Sequence, residues 1–331
     1  MTLKEIAQKA GVSRGTIDRV IKNRGGVNAE TEKRVRKILE ESGYTPNRAG
    51  VALVRSKRPM VVGVITNSIG NPFFDEVNKG VEQAFSEYRD YGFTLLRKEI
   101  KGYDVDEQLS AMQQLFDSVD GLILTPINDI KIISKIKEYA INSKPVITVT
   151  ADVDNSERVQ YVGCDYFKSG QTAANLMSLA LLKKGKIAVV TGSFKMLGHN
   201  DRIRGFKNVC EKSGLDITAI VECNDDDIAA YSETEKLLKS DIDGIYIAAA
   251  GVAGTVKAVK ESGKNILLVA NDAIPSTVQF VKTGIVLATI DQQPITQGYT
   301  ALKNMFDILL GGLPESEYFH TDLAIKMKYN I

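Results

Sequence analysis

Two sets of residues in this 331-residue chain could do chemistry. In the first, Ser13, Arg14, Thr16, Asp18 and Arg19 stand together at the start of a short segment of helical spacing, offering hydroxyls and two guanidinium groups to a partner. An arginine presented this way can donate two hydrogen bonds to guanine O6 and N7, and each such pair is worth about 1–3 kcal/mol of base discrimination. In the second set, Asn128, Asp152, Asn271, Asp272 and Gln292 each follow an apolar run, Arg202 precedes an amphipathic stretch, and Phe73 and Phe74 follow the first such run. Planar amides and carboxylates bind hydroxyls, a guanidinium binds two oxygens at once, and an aromatic face takes the C–H surface of a ring. Together they suit a small polyhydroxylated ligand.

The elements that must position the first set are legible in residues 2–23. Leu3, Ile6, Ala7 and Ala10 recur at helical spacing, Gly11 sits where a helix end needs a left-handed residue, and Ser13 can N-cap a second helix carrying Thr16, Ile17 and Val20. That is a helix-turn-helix, whose second helix enters the DNA major groove. Asn28 begins a capping pattern for a third helix with an apolar stripe of Val35, Ile38 and Leu39, which completes a three-helix core. Charge agrees: residues 1–58 hold 14 Lys+Arg against 6 Asp+Glu, a balance of +8, and the whole-chain totals of 42 and 41 leave 28 and 35, or −7, for the rest. A basic head on an acidic body points to a polyanion for the head alone.

From Pro59 onward, apolar runs alternate with amphipathic stretches. The runs marked as strands are 60–66, 93–100, 121–126, 145–150, 159–165, 186–192, 216–223, 244–250, 266–272 and 286–292. Continuous apolar strands followed by helices predict parallel sheets covered on both faces. Ten strands suit two doubly wound lobes, with ligand at the carboxyl ends of the strands. The expected organisation is an all-α helix-turn-helix head over 1–45, a hinge or linker over 46–58, and a bilobed α/β body over 59–331.

Other chemistries find little support. Cys164, Cys210 and Cys223 are odd in number and far apart, which suggests core thiols rather than disulfides or a zinc site. His199 and His320 are the only histidines, and His199 reads as a surface or structural residue. No G-x-G-x-x-G follows the first strand, no G-x-S-x-G elbow occurs, and the carboxylate run Asp225-Asp226-Asp227 reads as a solvated loop. No enzyme activity, metal or cofactor is expected. The N-terminus is charged from Lys4 onward and no apolar run approaches about 20 residues, so a cytoplasmic protein without membrane contact is expected.

Taken together, the head TLKEIAQKAGVSRGTIDRVIKN, the following VNAETEKRVRKILEESGYTPN, and the body motifs resemble the LacI/GalR family of bacterial transcription regulators over essentially the whole chain. The body is also similar to type I periplasmic sugar-binding proteins, leaning to the ribose-binding-like branch, in its Asn71-Pro72-Phe73-Phe74, Asp201-Arg202, Asn271-Asp272 and Ala288-Thr289-Ile290-Asp291-Gln292 motifs. The resemblance implies a homodimer on a pseudo-palindromic operator, acting as a repressor and controlled by a small carbohydrate or polyol. It places Arg14, Gly15 and Arg19 at base-contacting positions, although Gly15 has no side chain to read a base. It sets Asn47 and Leu53 among the DNA contacts, with Leu53 as a minor-groove wedge in a hinge helix, and Gly50 stands where alanine is common. A helix carrying that glycine should order only on operator. Asn71 joins the ligand set, and Asn200 stands where the ribose-binding-like branch has a ligating arginine. Ala248-Ala249-Ala250 replaces a frequent Asn-Asp pair, implying a less hydroxylated, larger or partly apolar effector. Two rival readings keep the body but change its use: a solute-binding protein for uptake, or a sugar-processing enzyme with a regulatory head.

Overall fold

The computed structural model describes residues 3–21, 25–42 and 59–331. The expected hinge, with Asn47, Gly50 and Leu53, lies outside the described residues. The head consists of α1 (Leu3–Ala10), α2 (Arg14–Ile21) and α3 (Ala29–Glu41) around a small core in which Ile6, Ile17 and Val35 are fully buried. Gly11 takes the left-handed φ of 61° that ends α1. Ser13 Oγ accepts from the Thr16 N–H at 3.1 Å and Asn28 Oδ1 from the Glu30 N–H at 2.8 Å, so both anticipated N-caps form.

The body holds two six-stranded sheets. Strands β1 (Met60–Thr66), β2 (Phe93–Glu99), β3 (Gly121–Leu124), β4 (Val146–Val149) and β5 (Gln160–Cys164) build the first lobe. Strands β6 (Gly185–Thr191), β7 (Leu215–Glu222), β8 (Gly244–Ile247), β9 (Leu267–Asn271) and β10 (Ala288–Asp291) build the second. All ten coincide with apolar runs read from the sequence. Two further strands, β11 (Tyr318–Thr321) and β12 (Ala324–Met327), close the sheets in the orders β11-β5-β4-β3-β1-β2 and β12-β10-β9-β8-β6-β7. These two lay below the sequence signal because they are four residues long and little buried: β11 is mostly exposed and β12 alternates between half-buried and exposed. β12 also departs from the all-parallel expectation, running antiparallel to β10.

Helices cover both faces of each sheet. In the first lobe, Phe73–Tyr88 and Pro294–Leu309 cover one face through Val81, Leu302, Met305 and Phe306, while Val105–Phe116 and Ile130–Ile141 cover the other through Met112, Leu115, Ile132 and Ile136. The second lobe repeats the plan, with Tyr166–Ala180 and Leu197–Ser213 on one face. The chain crosses between lobes three times, after β5, after β10, and between β11 and β12. Strand order reverses at β1/β3 and at β6/β8, and the crevice at the carboxyl ends of those strands is where an open α/β sheet takes its ligand.

The paired helices approach closely because glycines remove side chains at the crossing points. A Cβ on Gly170 would collide with the Arg202 carbonyl oxygen, and one on Gly205 with that of Phe167. In the first lobe Gly80 and Gly298 play the same part against Ile295 and Val77. Gly170→Ala is therefore expected to destabilise the body by about 1–3 kcal/mol through overpacking against backbone. A Cβ on Gly15 would meet only Ser13 Oγ, at an ordinary 3.6 Å, so Gly15→Ala should stabilise the head by about 0.5–1 kcal/mol. Denaturant unfolding of the two variants, followed separately for head and body, checks both signs.

Candidate functional site

On the head, Ser13, Arg14, Gly15 and Arg19 are exposed along the leading face of α2, and Thr16 is half-buried beside the Ser13 cap. Ile17 and Val20 point the other way into the core. The two guanidinium groups are thus presented outward by a helix whose opposite face is fixed.

Between the lobes lies a cavity of about 40 Å³, enough for about three waters. The first lobe lines it with Asn67, Asn71, Phe73, Phe74, Tyr103, Thr125 and Thr150, and the second with Tyr166, His199, Arg202, Asp225, Asp272 and the Ala249-Ala250 backbone. Phe73 and Phe74 both belong to the wall, edge to face with ring centroids 5.3 Å apart. Left-handed backbone recurs at this rim on residues other than glycine: Thr150, Asn224, Asp225, Asp272 and Gln293 all have positive φ. Such conformations persist only where the surroundings over-determine them, and they gather at ligand clamps.

Arg202 is the largest fully buried side chain, only 2% exposed. Its Nη1 donates to the Ala248 carbonyl at 2.7 Å, Asp272 Oδ1 stands 3.9 Å from Nη2, and its guanidinium lies 4.6 Å from the Tyr166 ring centre. Burial alone would lower its pKa, but Asp272 and Tyr166 outweigh that and the net direction is up. Burial raises the Asp272 carboxyl, opposed by Arg202 and by Gln292. Nε and Nη2 of Arg202, and Nδ2 of Asn67, find no hydrogen-bond acceptor among the described residues. The Asn67 amide is oriented by Gln108, fully buried, whose Nε2 donates to Asn67 Oδ1 at 2.9 Å while its own Oε1 accepts from the Ile127 N–H.

Asp272 joins this wall to the lobe crossings. Gln292 Nε2 donates to Asp272 Oδ1 at 2.7 Å, the Cys164 thiol donates to Gln292 Oε1 at 3.1 Å, and the Gln292 carbonyl accepts from Thr321 Oγ1 at 2.8 Å and from Gln297 Nε2 at 2.7 Å. Cys164, Gln292 and Thr321 belong to the three separate crossings, so one glutamine ties all of them to the cavity. The Cys164 thiol is pushed up to about 12 by burial and stays protonated, as a donor must. The three cysteines are buried and free, as expected of core thiols.

The two lobes also meet directly. Tyr103 donates a short hydrogen bond to Asp225 Oδ2, which Asn71 Nδ2 approaches at 3.4 Å, and the Tyr166 hydroxyl donates to the Thr150 carbonyl. Burial, then Asp225, raise the Tyr103 pKa well above its ordinary value, keeping the proton on the phenol.

Of the residues singled out from sequence, Asn71, Phe73, Phe74, Arg202, Asp272 and Gln292 line this cavity. The structure does not bring the other four there. Asn128 bonds Asp154 outside it, and Asp152 forms a buried ion pair with Arg158 at 2.6 Å. Asn200 Nδ2 turns to the Phe194 carbonyl. Asn271 lies one layer deeper, held by Ser169 and Tyr246. Asn128 serves loop geometry, while Asp152, paired with Arg158, lines a second interlobe pocket that adjoins the cavity at Tyr166 and Gly198.

His199 lines the cavity: its Nδ1 accepts from the Ser193 N–H at 2.9 Å and burial lowers its pKa, favouring the neutral ring. The run 225–227 is no plain solvated loop, since Asp226 caps the next helix through the Ala229 N–H, Asp227 accepts from the Gly254 N–H, and Asp225 turns inward. Gly192 leaves that space open, as a Cβ there would overlap Asp225 and His199. The Ala248–Ala250 run does not make the second lobe apolar, because its backbone bonds Arg202 and Asp225, and Asp225 supplies a carboxylate.

A two-lobed binding body behind an exposed helix-turn-helix is the build of a ligand-responsive DNA-binding regulator. Residues 2–47 match the model of bacterial regulatory proteins of the lacI family, residues 62–313 match a periplasmic binding protein domain, and the chain belongs to the lacI family of transcription regulators. It is 30% identical over 301 residues to the ribose operon repressor of Halalkalibacterium halodurans, covering 88% of this chain and 85% of that one. It is 30% identical over 226 residues to the HTH-type transcriptional regulator DegA of Bacillus subtilis, a match spanning 65% of this chain and 62% of DegA. Among solved structures it is similar to GanP, a glucose-galactose binding protein from Geobacillus stearothermophilus, with TM-score 0.78 and 25% identity over 83% of this chain and 99% of that one.

Asp152 and Arg158 are 14% and 4% exposed at the side chain. Asp152→Ala leaves a guanidinium buried without its main partner, and is expected to destabilise the protein by about 3 kcal/mol in chemical unfolding. Its effect should fall on stability, with the cavity residues unperturbed in their side-chain NMR shifts.

Proposed function

We propose that this protein is a repressor whose operator affinity is set by a small carbohydrate or polyol bound between the lobes. The observation that supports the reading is the set of buried donors without acceptors on Arg202 of one lobe and Asn67 of the other, two residues that line a cavity walled also by two aromatic rings. Buried polar groups left unpaired are unfavourable, and ligand oxygens would satisfy them. Asn71, Phe73, Phe74, Arg202, Asp272 and Gln292 form the proposed contacts. Relatives named as the ribose operon repressor and as glucose-galactose, arabinose and ribose binding proteins support the ligand class.

Ligand enters, in this reading, by separation of the lobes about the three crossings, and Gln292 transmits that movement. Residues 1–45, 46–58 and 59–331 are the proposed head, hinge and body. A homodimer would set two α2 helices one DNA turn apart on a pseudo-palindromic operator. Among the described residues no helix is long and apolar enough to cross a membrane, and a cytoplasmic regulator without catalytic activity fits the head.

Arg19→Ala should weaken specific operator binding by about 1–3 kcal/mol with a smaller loss on random DNA. Fluorescence anisotropy checks this, and equal losses on both DNAs would remove Arg19 from base reading. Asp272→Asn, which keeps the side-chain shape beside Arg202 and an oxygen for Gln292, should leave operator affinity intact and abolish the response to sugar. An unchanged sugar affinity, measured by calorimetry, would contradict the pocket.

A further inference from the structure

The cavity contains two carboxylates and one guanidinium. Arg202 lies beside Asp272, whereas Asp225 draws its hydrogen bonds, among the described residues, from neutral donors only: the Tyr103 hydroxyl, the Asn71 amide and the Ala250 N–H. His199 is held toward its neutral form by burial, and the Lys195 ammonium donates to the Tyr103 carbonyl at 3.1 Å. A carboxylate in a confined, partly dehydrated space favours a cation beside it. We infer that the effector is a cationic polyol, an amino sugar or amino alditol, whose ammonium group displaces Tyr103 and pairs with Asp225 while its hydroxyl oxygens accept from Arg202 and Asn67.

Three features of the site support this class. The unpaired donors of Arg202 and Asn67 require acceptors, which an alkylamine without hydroxyls lacks. The local excess of negative charge disfavours a sugar phosphate or sugar acid. The carboxylate is deliberately placed, since Asn224 and Asp225 are successive residues in the left-handed region, with φ of 50° and 57°, and Gly192 clears the space in front of them. The same Tyr103 bond spans the lobes, so an ammonium that takes its place also changes what holds them together.

The inference rests on the effector reading above, and the test separates the two. Isothermal titration of the full chain would compare glucose, galactose and mannose with glucosamine, galactosamine and mannosamine, their N-acetyl forms, and glucose 6-phosphate. Asp225→Asn serves as the variant, because asparagine tolerates the left-handed backbone and keeps the side-chain shape. In at least one pair the amine should bind tenfold or more tightly than the neutral sugar, N-acetylation should abolish the gain, and Asp225→Asn should reduce the amine to the level of its parent. Neutral sugars or the phosphate binding as well as the amines would overturn the inference and leave the effector reading standing. A preference that survives Asp225→Asn would equally overturn it. No binding across the whole panel would count against both.

Discussion

The structure depends on burying the guanidinium of Arg202 at the wall of the interlobe cavity. A buried cation is tolerable only when paired and hydrogen-bonded, and here Asp272 and the Ala248 carbonyl meet that demand in part. Asp272 is itself a half-buried carboxylate, on strained left-handed backbone, and is held by Gln292. Gln292 in turn fastens Cys164 and Thr321. Arg202 therefore has a short path, two side chains long, to every segment that joins the lobes. In the proposed reading, ligand recognition and lobe movement would share these hydrogen bonds.

The two lobes repeat one packing solution. Each has a sheet with its reversal point at the cleft and a helix pair brought close by glycines, Gly80 with Gly298 and Gly170 with Gly205. Close backbone contact makes each lobe stiff, which concentrates relative motion at the three crossings. The head stands apart in charge as well as in fold: its balance of +8 suits DNA, and the body's −7 keeps the rest of the protein from coating it.

Much of this was legible in the residues. The eight inner strands were readable because strands buried on both faces must be continuously apolar, the edge strands β2 and β7 because their apolar runs are seven and eight residues long, and the α1–α2 turn because Gly11 and Ser13 have few other uses in sequence. The edge strands β11 and β12 were not, since they are only four residues long and little buried. In the cleft, Asp272, Gln292 and Arg202 were found by motif and position. Asn67, Thr125 and Thr150 also stand at or just beyond strand carboxyl ends and could have been found by the same rule. Tyr103 and Asp225 could not: one reaches in from the loop after an outer strand, and the other depends on two left-handed residues that turn a single member of an acidic run inward. Asn128 and Asp152 carried the same positional signal as the true lining residues, and only three-dimensional pairing with Asp154 and Arg158 separates them.

In the proposed switch the interlobe cavity and the three crossings respond to ligand as one unit. Amide hydrogen exchange of the full chain, with and without the panel sugar that binds most tightly, measures this. Protection should rise together around 67–74 and 149–151 in the first lobe, around 223–226 and 271–272 in the second, and at the crossings 164–165, 291–293 and 321–323. Protection confined to one lobe, or rising at the cavity while the crossings stay unchanged, would contradict it.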